Sequence, residues 1–96
     1  MSSDLEQRIE VLAIRVNGLR DAVRLDNFRS AQRFRAGLVA YLKDLEGPLR
    51  DDVAQLFEIT GVWLRNVDDR HEAKRQIQKI IRRIISRIQP RKRVGS

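Results

Sequence analysis

Cysteine is absent from this 96-residue chain, histidine occurs once (His71), and proline only at Pro48 and Pro90. Without cysteine there is neither a disulfide framework nor a thiolate metal site, which suits a reducing compartment. With a single histidine and scattered hydroxyls (Ser2, Ser3, Ser30, Thr60, Ser86, Ser96), no nucleophile–base–orienter set can be assembled. Glycine-rich phosphate cradles are also missing. The acidic pairs Asp51/Asp52 and Asp68/Asp69 are adjacent in sequence and sit at helix starts. There they read as caps and do not converge on a cation. A non-catalytic protein with no cofactor and no metal is expected.

Long apolar runs are missing too; none approaches the roughly 20 residues a membrane span requires. The N-terminal residues are polar and acidic (Ser2, Ser3, Asp4, Glu6), unlike a signal peptide. A soluble cytoplasmic protein is expected, folded as a single helical domain over residues 1–90 with a flexible basic tail over 91–96.

What is present is charge, unevenly placed. Residues 70–96 hold ten Lys/Arg against one acid, Glu72, whereas the first 69 residues hold ten basic and twelve acidic side chains. The same basic segment carries Ile77, Ile80, Ile81, Ile84, Ile85 and Ile88. Spacings of three and four recur along the whole chain and strand-like alternation is nearly absent, so the fold is all-α. The expected architecture is an antiparallel helical bundle of three or four helices that self-associates, with a homodimer favoured.

The first helix carries an apolar stripe of Leu5, Ile9, Leu12, Val16, Leu19 and Val23, a seam for the core or for a second copy. Asn17-Gly18 is a turn signal within it, yet the stripe keeps phase across the glycine, so helix continues. Asp26-Asn27 places polar residues on the stripe. This predicts either a second helix from about Phe28 to Leu45 or one long helix interrupted there. Glu46-Gly47-Pro48 is the clearest boundary. A third helix follows, with Leu49, Val53, Leu56, Phe57, Trp63, Leu64 and Val67 apolar and Gly61 a point of bending or division. The stretch from Val53 to Val67 has some helix-turn-helix spacing, but Phe57 stands where a small residue belongs and Thr60 where an apolar one does. Asp69 and Glu72 are spaced as a capping box for a fourth helix ending before Pro90.

On that last helix the isoleucines occupy one arc, while Arg75, Lys79, Arg82 and Arg83 gather opposite, with Arg87 at the edge. Arg91, Lys92 and Arg93 extend the charge beyond Pro90. Arginine predominates, which suits forked contacts to phosphate. These eight residues are the expected contact set for a DNA or RNA backbone, read without regard to sequence. An acidic protein surface is the alternative partner. An anionic membrane surface fits less well, because the apolar arc lacks Trp, Phe and Leu. Trp63, Phe57, Phe34 and Tyr41 lie on or beside apolar stripes and are expected to pack, not to stack on bases.

Overall fold

The chain breaks where polar residues interrupt the first stripe. In the computed structural model, which describes the backbone of residues 3–88 and the side-chain surroundings of residues 6–88, four helices follow one another. They are α1 (Ser3–Arg24), α2 (Phe28–Leu42), α3 (Gly47–Arg65) and α4 (Arg70–Ile88). Residues 3–45 thus form two helices. Asp26 adopts φ 57°, Asn27 N–H donates to Ala22 O at 2.7 Å and Asp26 N–H to Val23 O at 3.1 Å. This is a Schellman closure of α1 in which aspartate takes the left-handed position usually given to glycine. Asn27 then caps α2, its Oδ1 accepting from Ser30 N–H at 3.2 Å.

Two other boundaries differ in detail from the sequence pattern. α2 ends at Leu42, not Leu45, and α3 opens on Gly47 at φ 69° with Pro48 in its first turn. At α4 the expected Asp69/Glu72 capping box is replaced. Asp69 Oδ2 accepts from Asn66 Nδ2 at 2.9 Å, and Glu72 turns to Gln76 (3.2 Å) and Arg75 (3.6 Å).

Cross-contacts fix the direction of every neighbouring pair. Arg8 pairs with Asp44, and Gly18 lies under Phe34, so α1 and α2 are antiparallel. Arg50 Nε donates to Leu42 O (2.9 Å) and Phe28 stacks on Trp63, centroids 4.7 Å apart, running α2 against α3. Arg70 Nε donates to Trp63 O (2.9 Å) at one end of the α3/α4 pair, and Arg87 meets Asp52 at the other. Lys74 pairs with Asp26 (3.1 Å) while Gln78 Nε2 donates to Arg20 O (3.5 Å), closing α4 onto α1. The result is an up-down-up-down ring in which each helix touches its two neighbours.

All four helices supply the core: Leu12, Val16, Leu19 and Val23; Ala31, Leu38 and Tyr41; Val53, Leu56 and Trp63; and Ala73, Ile77, Ile80, Ile81 and Ile84. Four members of the α1 stripe are therefore covered within one chain. Ile9 is half-buried, and the side chain of Leu5 lies outside the described residues. Gly18 is a packing position, since a Cβ there would lie 2.5 Å from the Phe34 ring. α3 passes through Gly61 without a break, which removes the helix-turn-helix. Thr60 is fully buried and Val67 is exposed, opposite to what the apolar spacing of that segment suggests.

Candidate functional site

α4 divides its residues as its period requires. The isoleucine arc faces inward, with Ile77, Ile80, Ile81 and Ile84 buried and Ile85 and Ile88 partly so, while Arg75, Lys79, Arg82 and Arg83 remain exposed. Seven basic residues and one acid lie between Arg70 and Ile88. Docking of the isoleucines fixes the rotational setting of the helix and hence the direction in which the charges point.

The cations are not equivalent. Asp52, on α3, is 5% exposed and holds two of them: Arg83 Nε at 3.0 Å on Oδ1 and Arg87 Nε at 2.6 Å on Oδ2. Arg83 Nη2 also donates to Gln55 Oε1 at 2.9 Å. Both arginines keep nearly half of their side-chain surface in solvent, although each is anchored through Nε and Arg83 also through Nη2. Asp52 was expected to cap α3. Instead it lies one turn before Leu56 and two before Thr60 on the buried face, aimed at α4. A carboxylate so buried is tolerable because its two oxygens each receive a charged donor.

Arg75 lies 3.6 Å from Glu72, an exposed and weak pair. Lys79 and Arg82 have no hydrogen-bond or ion-pair partner among the described residues. Arg75, Lys79, Arg82 and Arg83 line a groove of about 430 Å³ between α3 and α4, with Gln55 and Gln76 on its walls. Arg82 also lines a smaller cleft between α4 and α1 with Arg20 and Gln78. Arg20 is a basic residue of this surface that sequence spacing does not reveal, because it belongs to another helix. Arg91, Lys92 and Arg93 lie outside the described residues.

The remaining arginines near the core are structural. Arg70 lies over the Phe28 ring (4.6 Å), which in turn stacks on Trp63. Arg35 lies over Phe57 (3.8 Å) and donates Nε–H to Phe57 O (2.8 Å). Burial, and secondarily the charge of Arg65, lowers the Arg35 pKa from its ordinary value, with Glu58 acting in the opposite sense. Trp63 is fully buried and Tyr41 nearly so, which leaves neither as a stacking platform for bases.

No group of acidic residues and histidine that would hold a metal ion occurs among the described residues. Nor is any of the described helices long and apolar enough to cross a membrane. No protein-family model, curated protein or solved structure matches the chain.

Proposed function

We propose that this protein is a non-catalytic binding or assembly factor that engages the phosphodiester backbone of DNA or RNA through the outer face of α4. The observation that carries this is the arrangement around Asp52. A single buried carboxylate holds Arg83 and Arg87 by their Nε atoms, and Arg83 lines the same groove as Lys79 and Arg82, which have no partner among the described residues. Guanidinium groups held in this way lose less side-chain freedom on meeting a phosphate than free ones do. Arg75 and the Arg91–Arg93 segment extend the contact, and a cytoplasmic setting belongs to the same proposal. Contacts of this kind displace counterions and are indifferent to base sequence.

The test is fluorescence anisotropy with random-sequence DNA and RNA at low and moderate salt. With about five phosphates neutralised, affinity falls on the order of 10²–10³-fold between about 50 and 200 mM salt. The double variant Lys79→Glu/Arg82→Glu abolishes binding and retains helicity, because neither residue has a structural partner. Wild-type protein that binds neither polymer at low salt removes the proposal. An acidic protein surface is then the remaining complement to the same face.

Self-association is a separate part of the proposal. Because the chain's own helices cover Leu12, Val16, Leu19 and Val23, a dimer uses other surfaces. Val11 and Ile14, exposed on the outer side of α1, are available to it, as are Leu25, Val39 and Val67 elsewhere on the described surface.

A further inference from the structure

A second basic concavity lies away from α4, between α1 and α2. Arg15, Ser30, Arg33 and Phe34 line it, enclosing about 260 Å³. In the ring of helices it is on the side opposite the α3/α4 groove.

The site is assembled by specific packing. Gly37 leaves room for Arg15 to lie along α2, since a Cβ there would approach Arg15 Nη1 to 3.2 Å. Phe34, seated on Gly18, forms the wall. Ser30 is in the first turn of α2, at the positive end of its dipole; its backbone N–H is taken by Asn27, and its hydroxyl has no partner among the described residues. No acid occurs between Phe28 and Leu42.

Arg15 Nε is buried and has no acceptor among the described residues. A buried charged N–H without an acceptor is destabilising, so such a group calls for one. Arg33 is likewise without an acidic partner among the described residues. A tetrahedral oxyanion in the groove would offset the Arg15 charge from outside and accept from the Arg33 guanidinium and the Ser30 hydroxyl.

We infer that the α1/α2 groove is an anion site for a phosphoryl group, held by Arg15, Arg33 and Ser30. The group is either free phosphate or part of a nucleic-acid backbone. This inference does not depend on the α4 face binding anything.

The arginine Nε–H resonances of the full chain test it in ¹⁵N-resolved spectra, with the Arg15 signal assigned by its loss in Arg15→Lys. Titration with inorganic phosphate, at ionic strength fixed with chloride, shifts the Arg15 signal saturably. Arg33→Ala and Ser30→Ala each weaken that saturation several-fold with helicity unchanged. A second arm uses a short oligonucleotide with the Lys79→Glu/Arg82→Glu variant. If the oligonucleotide still shifts the Arg15 signal, the backbone is the source; a shift with inorganic phosphate alone identifies the free anion. A signal that does not respond to either ligand, or that responds equally in Arg33→Ala, overturns the site. Failure of the α4 proposal appears differently, as lost oligonucleotide binding by wild-type protein.

Discussion

Asp52 Oδ2 accepts from Arg87 Nε at 2.6 Å, joining α3 to α4 at the end of the bundle away from the Asp69–Arg70 turn. With Arg83 on the other oxygen, one buried carboxylate couples the face of α4 to the frame that holds it. Asp52→Asn is therefore predicted to act on both stability and binding. Loss of the charge with the shape retained destabilises by about 1–2 kcal/mol, between the values for exposed and for fully buried pairs because both arginines are half exposed. Urea unfolding followed by circular dichroism measures it. In anisotropy, the same variant frees both guanidinium groups and weakens nucleic-acid binding despite its higher net positive charge. Tighter binding by Asp52→Asn means that charge alone governs the interaction and that anchoring contributes nothing.

Neutralising the unpaired cations tests the same surface without touching the frame. Lys79→Gln and Arg82→Gln are each predicted to lower the slope of log K against log salt by about 1 in magnitude, the amount expected for one phosphate contact. Their effect is uniform across DNA and RNA of differing sequence. Thermal midpoints stay unchanged, since neither side chain has a partner to lose among the described residues.

Glycine-to-alanine changes separate two kinds of close approach. Intrinsic propensity favours Ala over Gly within a helix by about 1 kcal/mol. At Gly18 the sign reverses. The new Cβ would lie 2.5 Å from a ring atom of Phe34, a rigid side chain between two helices. Gly18→Ala is predicted to destabilise by about 1–3 kcal/mol, the usual range for overpacking. At Gly61 the conflict is with Arg35 Nη2 at 2.7 Å, part of a guanidinium held by the Phe57 ring and carbonyl, so its displacement gives up part of those contacts and offsets the propensity gain. Gly61→Ala is predicted to be nearly neutral in urea unfolding. A stabilised Gly18→Ala would show that the Phe34 contact is not maintained in solution.

These cases also mark how far the sequence could be followed. The place of the α1–α2 interruption was legible because Asp26 and Asn27 fall on an apolar stripe, but whether the helix ended there or ran on was not. The two-faced character of α4 was legible because six isoleucines at helical spacing leave little choice of inward side. Asp52 was not legible. Its partners are 31 and 35 positions away, and only the antiparallel packing of α3 on α4 brings them to it. Its adjacency to Asp51 favoured a cap, although its phase with Leu56, Thr60 and Trp63 placed it on the buried side. Gly18 reads as a tolerated cost within a continuing helix and Gly61 as a point of bending or division, because a sequence does not show which neighbour needs the missing Cβ.

Asn27 carries the α1–α2 connection from both sides. Its N–H completes the closure of α1 and its Oδ1 receives Ser30 N–H. Asn27→Ala keeps the first bond and loses the second, and is predicted to cost about 1 kcal/mol, typical of an N-cap. Asn27→Asp retains an acceptor and restores most of that stability, which a comparison of urea midpoints tests.

The α1 stripe allows the most direct test of where the core ends and a second copy begins. Leu12, Val16 and Leu19 are fully buried within the core of the single chain. Leu12→Ala removes buried methyl groups and leaves a cavity, so it is predicted to destabilise by about 2–5 kcal/mol. Because the cavity lies within one chain, that loss is the same at low and high protein concentration. Ile14, two residues from both Leu12 and Val16, is 68% exposed on the outer side of the helix. Ile14→Ser is predicted to leave the unfolding midpoint almost unchanged while shifting any self-association toward monomer in sedimentation velocity. If instead the destabilisation by Leu12→Ala vanishes as protein concentration rises, the stripe is a subunit interface and the single-chain core is the wrong description of α1.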